Sequence, residues 1–400
     1  MTGQQATVYR NDITKVLENR PSYYVPEAVH TFPMTLAELG YYLTYNNYSP
    51  NVDISNNFKG FDRISHDPPA AHGRNKVLES APGLDLEFEV HERTYNFLDF
   101  LVKAPADLPF FAVNWIVDPH APYHPHGRFK KSVRYHAGKL PKPLDYYLER
   151  TNYHLFDAGK DVTLDEYERE FVMQLYHAEV ASVDERVGFI LDVLEDEGLG
   201  DNTIIIFTSD HGEAFDEHGH WEHGSTYYEE LMRVPMIIAG PGITEGHVVE
   251  TPVSILDIAP TLQEWLGVRS YDYWHGASLA PALEGGEPDP RPLYLDAVYN
   301  PRERDYRDAL VDGHFKLIAH DRPDTLELYD LASDPAERHN LADEQPDRVA
   351  DMLNTLLQFR LKYAEEYARI LPLSEGTGAN QAVSEREKVL RRLRSLGYVK

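Results

Sequence analysis

Apolar residues along this chain fall into short continuous runs. Residues 109–117 (PFFAVNWIV), 203–207 (TIIIF) and 234–239 (VPMIIA) are three such runs. Runs of this length, bounded by polar or proline-containing turns, are typical of strands that are covered on both faces. The sequence therefore predicts at least three buried strands.

Helical periodicity separates these runs. Within 171–194, apolar residues recur at steps of three and four, and Thr163 with Glu166 has the spacing of a capping box. Gly198 provides the stop signal, and a shorter helix is predicted over 254–265. This alternation of strands and helices predicts an α/β fold, with a large, open, mainly parallel sheet and helices on both faces.

The pattern changes after about residue 291. Residues 308–311 and 314–319 flank Asp312–Gly313, which is a strong hairpin signal, and a helix is predicted over 345–367. These features predict a small antiparallel α+β subdomain. The predicted segments are an α/β domain (1–290), the α+β subdomain (291–370), and a linker with a charged terminal helix (371–400).

Composition narrows the function classes. The 38 lysines and arginines against 66 aspartates and glutamates give a formal net charge of −28, which opposes binding to nucleic acids and anionic membranes. Such acidity resembles proteins of salt-loving microbes. The chain has no cysteine, which excludes disulfides, thiolate metal sites and a cysteine nucleophile within it. Because we find neither a signal peptide nor a bilayer-length apolar run, we expect a cytoplasmic location.

Candidate chemistry follows two of the predicted strands. Asp118 and His120 come after the strand 109–117, and Asp210 and His211 come after 203–207. Ligands of open α/β sheets bind beyond the carboxyl ends of the strands, so we expect these side chains at one crevice. A carboxylate next to an imidazole can supply half of a divalent metal site, although a capped turn explains the same residues.

Three further histidines follow within a short, glycine-containing loop. His218, His220 and His223 favour the metal interpretation, because repeated imidazoles among glycines are poorly suited to a core. Surface positions for His218 and His220 stay open. Aromatic residues could line a ring-binding pocket, with ordinary half-buried packing as the alternative. These are Tyr123, Tyr227, Tyr228, Tyr273 and Trp274.

The motifs now quoted resemble those of the sulfatase family in the alkaline-phosphatase superfamily. Residues 203–219 (TIIIFTSDHGEAFDEHG) and 221–242 (WEHGSTYYEELMRVPMIIAGPG) carry the resemblance, and 118–123 (DPHAPY) is similar to another family segment. The resemblance extends from about Thr31 to the end of the chain. It implies an alkaline-phosphatase-like fold and cleavage of sulfate esters.

The resemblance also implies roles for particular residues. Asp210 and His211 match metal ligands; calcium is the ion usual in sulfatases, whereas manganese, zinc or iron occurs in phosphodiesterase and phosphonate-hydrolase relatives. His120 matches a substrate-side histidine, and His223 matches the position of a general acid or anion clamp. The expected substrate contacts are His126 and Arg128, and Glu213 is expected to orient the loop.

The resemblance fails at the N-terminus. Family members carry an Asp-Asp metal pair and a Cys or Ser that becomes the formylglycine nucleophile, and neither feature is found here. We therefore expect a shortened version of a longer protein or a catalytically incomplete remnant.

Three functions follow from these expectations. The first is metal-dependent hydrolysis of a small-molecule or glycan sulfate ester. The second is hydrolysis of a phosphodiester or phosphonate by the same superfamily machinery. The third is a non-catalytic anion-binding remnant. No nucleic-acid or membrane partner is expected, and the oligomeric state is not indicated.

Overall fold

The computed structural model describes twelve stretches of the chain, which are residues 30–46, 61, 63–65, 92–105, 107–125, 127–134, 140–141, 164–223, 226–268, 275–296, 307–320 and 326–370. They divide between two compact units, one mainly within 33–203 and the other mainly within 204–370. No helix in these stretches combines the length and apolar character needed to cross a bilayer.

The first unit contains a three-stranded parallel sheet. Its strands are β1 (Tyr42–Asn46), β2 (Arg63–Ser65) and β3 (Phe110–Asn114), in the order β2-β1-β3. Helix α1 (Phe32–Glu38) precedes β1 along the chain, and helix α2 (Glu92–Lys103) lies between β2 and β3. The strand predicted over 109–117 is therefore confirmed, with parallel pairing to β1. It ends at Asn114, four residues before Asp118.

A long helix completes this unit after the short helix α3 (Gly127–Ser132). Helix α4 (Glu166–Asp196) begins with a capping box formed by Asp165 and Glu168. The Glu168 backbone N–H donates to Asp165 Oδ1 at 2.8 Å, and the Asp165 N–H donates to Glu168 Oε2 at 2.9 Å. The predicted box at Thr163 and Glu166 was wrong by two residues, because Asp165 and Glu168 offer the same spacing with a stronger cap.

The second unit begins with two strands around a polar loop. Strands β4 (Ile205–Thr208) and β7 (Met236–Ala239) pair antiparallel, so the expected parallel arrangement was wrong for this pair. Parallel neighbours need a crossover connection, usually a long helix. Here the described residues of the connection form the ladder of β5 (Ala214–Phe215) and β6 (Trp221–Glu222) and the four-residue helix α5 (Glu229–Met232), and no long helix.

The next predicted helix is confirmed with a modified start. Ser254 and Asp257 form the capping box. A 3₁₀ turn (Ile255–Asp257) leads into helix α6 (Ile258–Trp265), and α7 (Ala280–Leu283) follows.

An antiparallel sheet with one long helix forms the rest of the described chain. Strands β8 (Leu293–Asp296), β9 (Arg307–Asp312), β10 (Phe315–His320) and β11 (Leu326–Asp330) have the order β11-β10-β9-β8. Helix α8 (Pro346–Ile370) follows. Apolar side chains of this helix and of the sheet form one buried cluster. Its members include Leu310, Leu317 and Leu328 of the sheet and Met352, Leu353 and Leu356 of the helix.

The predicted C-terminal elements are therefore confirmed. The hairpin turn consists of Gly313 and His314, one residue later than predicted, with Gly313 at a φ of 60°. A positive φ favours glycine because it has no Cβ. The terminal helix predicted within 371–400 lies outside the described residues, and the predicted segment limits stay predictions.

Candidate active site

The loop after β4 brings Asp210 and His211 to the protein surface. Their side chains are 48% and 32% exposed, and the His211 backbone N–H donates to Asp210 Oδ1 at 3.0 Å. His211 Nδ1 lies 2.8 Å from the carbonyl oxygen of Gly212. A carbonyl oxygen can only accept, so Nδ1 carries the proton of the neutral ring and Nε2 carries the lone pair. This tautomer suits Nε2 as a metal ligand.

Gly212 fixes this loop against helix α5. Its N–H donates to the Leu231 carbonyl at 2.8 Å, and a Cβ at this position would lie 2.0 Å from the Glu230 carbonyl oxygen. Only glycine permits this approach between two backbones. The position of the Asp210–His211 pair therefore depends on contact with α5.

His223 lies against His211 and is oriented by Glu213. The two imidazole rings stack with their centroids 4.0 Å apart, and His223 Nδ1 lies 3.0 Å from Glu213 Oε1. The Glu213 side chain is buried, as the loop-orienting role expected for it requires. Burial lowers the pKa of His223. The hydrogen bond to Glu213 and the charges of Glu213, Glu222 and Asp210 raise it by more than burial lowers it, so the pKa lies above its ordinary value. The imidazolium form is favoured.

His218 has a structural position in the same loop. Its Nδ1 lies 2.8 Å from Glu230 Oε1 and its Nε2 lies 3.2 Å from the Glu337 carbonyl oxygen. The ring stacks on Tyr228 at 3.7 Å. Burial lowers the pKa of His218, while Glu230 and Glu337 together raise it above the ordinary value. His218 is therefore neither a surface residue nor placed as a ligand beside Asp210.

A buried ion-pair network supports helix α5 from the C-terminal sheet. Lys316 Nζ lies 3.0 Å from Glu229 Oε1 and 2.9 Å from Glu337 Oε1, and the Lys316 side chain is fully buried. Glu337 Oε2 accepts the Glu229 backbone N–H at 2.6 Å, at the start of α5. The elements that hold His218 and Gly212 are thus joined to strand β10.

In the first unit, Asp118 and His120 lie in the segment 118–124. Asp118 Oδ2 lies 2.6 Å from Nη2 of the buried Arg186 on helix α4. His120 is half-buried, with Nδ1 2.6 Å from the Ala121 carbonyl oxygen. Asp118 therefore has a structural ion pair, and His120 occupies the middle of an anchored segment.

Comparison with family models assigns the chain. The model described as Sulfatase matches residues 5–268, and the model for the C-terminal region of N-sulphoglucosamine sulphohydrolase matches residues 216–363. The chain belongs to the sulfatase family.

Curated relatives of this sulfatase-family chain include two sulfatases. Arylsulfatase K of Xenopus laevis is 31% identical over 222 residues, which cover 52% of this chain and 40% of the relative. Choline-sulfatase of Rhizobium meliloti is 36% identical over 207 residues, which cover 50% of this chain and 38% of the relative. The matched part of the chain thus spans about two fifths of these relatives.

Solved structures that are similar to this chain confirm the fold. A protein in complex with D-glucosamine-2-N,6-O-disulfate is similar over 91% of this chain and 89% of its own, with a TM-score of 0.66 and 20% identity. A phosphonate monoester hydrolase from Silicibacter pomeroyi is similar over 91% and 84%, with a TM-score of 0.67 and 20% identity. The predicted alkaline-phosphatase-like α/β fold is therefore confirmed.

The remaining predicted contacts of this sulfatase-family chain have mixed outcomes. Arg128 lies on α3, is 64% exposed, and pairs with Glu185 of α4. Its role in substrate binding stays a prediction. His126 lies outside the described residues. Tyr123 and Tyr227 are buried, which favours the packing alternative over a pocket role for them.

Other aromatic candidates can be placed only in part. Tyr228 is half-buried; its hydroxyl donates to Glu327 Oε2 at 2.8 Å while its ring packs on His218. Tyr273 and Trp274 lie outside the described residues.

Several supporting residues escaped the sequence analysis. Glu179, Arg186, Lys316 and Glu337 are charged yet buried. Charged residues seven apart on α4, at 179 and 186, are a signal that could have been noticed, because they share one helix face. Lys316 sits within an apolar strand pattern, where a charge implies a buried partner.

Proposed function

We propose that the protein hydrolyses sulfate esters at a site formed around Asp210, His211 and His223. The observation that carries the proposal is the contact of His223 with both Glu213 and His211. This contact supports the proposal because it holds an imidazole with a raised pKa beside the Asp210–His211 pair, whose carboxylate and ring nitrogen are groups that bind divalent cations. The family assignment supports the same reaction class.

Asp210 and His211 would hold the cation. The Asp210 carboxylate and the His211 Nε2 lone pair are suitable ligands, and a complete site needs further ligands beyond these two. Among the residues with described positions, no group of three or more possible metal-binding side chains occurs. Calcium is the first expectation, with manganese or zinc as alternatives because an imidazole ligand suits them well. When bound, the cation would neutralise negative charge on the ester oxygens.

His223 would give its proton to the leaving oxygen. The Glu213 carboxylate holds Nδ1 at 3.0 Å, which orients the ring and stabilises the imidazolium that serves as general acid. His120 would donate to an ester oxygen, and His126 and Arg128 would contact the substrate. The formylglycine nucleophile used by the family has no cysteine precursor in this chain. We assign no residue to nucleophilic attack.

The substrate class we favour is a small-molecule or glycan sulfate ester. A relative described as N-acetylglucosamine-6-O-sulfatase of Bacteroides thetaiotaomicron is 36% identical over 177 residues, covering 42% of this chain. Phosphonate or phosphodiester hydrolysis is the second candidate. It is favoured by the imidazole next to Asp210, and a relative of Trinickia caryophylli described as a multifunctional alkaline phosphatase superfamily protein is 28% identical over 284 residues.

The proposal is tested by hydrolysis of p-nitrophenyl sulfate and bis-p-nitrophenyl phosphate by the complete gene product. We expect faster turnover of the sulfate and a loss of about 100-fold or more in His223→Gln, the scale of general acid catalysis. His314→Gln is the matched control, because His314 is an exposed histidine on the hairpin turn. Preference for the phosphate would favour the second candidate. Hydrolysis of neither ester would favour an anion-binding remnant.

A further inference from the structure

Three polar side chains interrupt the buried face in the middle of helix α4. Glu179, Ser182 and Arg186 are only 4%, 8% and 5% exposed, respectively. Their spacing of three and four residues places them in one row along the helix. Arg186 Nη2 donates to Ser182 Oγ at 3.2 Å, so two members of the row are joined directly.

This row contacts both ends of the segment that carries His120. Arg186 pairs with Asp118 at 2.6 Å at the start of the segment. At its end, the His124 backbone N–H donates to Glu179 Oε1 at 2.5 Å. Between them, the buried Tyr123 packs edge-on against Tyr176 of the same helix, with ring centroids 5.6 Å apart. The segment is therefore attached at three points to one helix.

We infer that Glu179 is a positioning residue, which together with Arg186 holds both ends of the His120 segment on helix α4. The anchoring follows from these contacts alone, and only its importance for hydrolysis rests on the proposed function. Glu179 is assigned no contact with the reacting atoms. It acts by fixing the backbone on which His120 is carried.

The surroundings of Glu179 make this anchor sensitive to pH. Oε2 is buried and accepts no hydrogen bond from a described residue. Burial and the Asp118 carboxylate raise the pKa of Glu179 to about 8, although the His124 N–H and Arg186 lower it. Asp118 and Arg186 are the charged groups that act on it. Of the other helices against α4, α3 contributes Arg128, which pairs with Glu185, and α2 carries Asp99 and Lys103, which pair with each other.

The protonated carboxyl is therefore the form that suits the folded segment. When the segment opens, Glu179 regains the ordinary carboxyl pKa of about 4.3, so opening becomes progressively easier from that pH up to about 8, where the folded carboxyl also ionises. The His124 N–H and the Arg186 guanidinium offset part of the cost of the buried charge, and Oε2 still lacks a donor among the described residues. We expect the segment to open more often at alkaline pH. Glutamine at this position keeps the acceptor for the His124 N–H and cannot ionise.

The test is hydrogen exchange of the backbone amides in 118–124, measured by mass spectrometry at pH 6 and pH 9 and corrected for intrinsic exchange. Glu179→Leu removes the acceptor, so we expect the His124 amide to lose protection by about tenfold at pH 6. Glu179→Gln should be protected at least as strongly as the wild type at pH 6, and should not undergo the loss that the wild type undergoes between pH 6 and pH 9. Glu195→Gln, an exposed position on the same helix, is the matched control and should behave as wild type.

Two results would overturn the inference. One is protection in Glu179→Leu equal to that of the wild type, and the other is a pH 6 to pH 9 change that persists in Glu179→Gln. If Glu179→Leu does not fold, the glutamine variant decides alone. Because exchange is measured without substrate, failure to hydrolyse any ester would count against the proposed function and leave this result standing. Where hydrolysis is found, Glu179→Leu should have a lower kcat than the wild type. Glu179→Gln should keep the wild-type kcat and stay active to higher pH.

Discussion

Replacing Lys316 with methionine should strongly destabilise the protein. The Lys316 and Glu337 side chains are fully buried, and Nζ lies about equally close to Glu337 and Glu229, at 2.9 and 3.0 Å. The 2.9 Å contact between Nζ and Glu337 Oε1 is an ion pair at hydrogen-bond distance. Removing one partner of a buried pair typically costs about 3–5 kcal/mol, because the other charge is left uncompensated.

The loss should depend on pH. Burial raises the pKa of Glu337 above its ordinary value, while Lys316 holds it down. Without Lys316 the pKa of Glu337 should rise further, so the folded variant would keep the carboxyl protonated. A group with a raised folded pKa carries no penalty below its unfolded pKa of about 4.3 and an increasing penalty above it. The Lys316→Met penalty should therefore be smaller at pH 5 than at pH 8.

Urea unfolding followed by tryptophan fluorescence at both pH values measures this penalty. Lys130→Met, at an exposed position on helix α3, controls for the loss of a lysine charge. The double variant Lys316→Met/Glu337→Gln should recover a large part of the loss, because no buried carboxylate lacks its cation. Equal stability of Lys316→Met and Lys130→Met would refute the reasoning, as would a double variant no more stable than Lys316→Met.

Three further predictions concern the loop around Asp210. Gly212→Ala should lower stability by about 2 kcal/mol or more in urea unfolding, since its Cβ would overlap the Glu230 carbonyl oxygen. Glu213→Gln should lower the pKa of His223, measured by NMR titration of its ring proton, because a charged hydrogen-bond acceptor is lost. His218→Gln should remove stability that the wild type has below about pH 6.5 and loses as the pH rises through the raised pKa of His218.

Each of these changes has a control or a contradicting result. Gly188→Ala, within helix α4 and with open space around its Cβ, should be neutral or stabilising by up to about 1 kcal/mol. An unchanged His223 titration in Glu213→Gln would contradict the assigned hydrogen bond. A pH dependence of unfolding in His218→Gln that matches wild type would show that another group carries it.

Local signals in the sequence identified most elements of the fold. The apolar run before Asp118, the Ser254 capping box and the hairpin at Gly313 depend on neighbouring residues, and all three are present. Pairing between distant strands was less accessible. The antiparallel pairing of β4 and β7 depends on whether the 27-residue connection between them contains a crossover helix. The sequence pattern of this polar loop did not reveal that such a helix is missing from its described residues.

The buried face of helix α4 illustrates a second limit. Apolar periodicity placed Val183, Val187 and Ile190 on that face, but these residues are only half-buried, while Ser182 and Arg186 are buried. A hydrophobicity pattern cannot anticipate burial of charges whose partners lie far away in sequence. The same reason explains why Asp210 and His211 were found from a motif, whereas the residues that support them were not.

Cation binding tests the central claim most directly. We would measure binding of calcium, manganese and zinc to the complete gene product by equilibrium dialysis with elemental analysis, comparing wild type with Asp210→Asn. Asp201→Asn, an exposed aspartate on the 3₁₀ turn before β4, is the matched control. We expect one tightly bound divalent cation in wild type and control, and an affinity lower by about tenfold or more in Asp210→Asn. Equal affinity in all three proteins would contradict a metal site at Asp210 and His211.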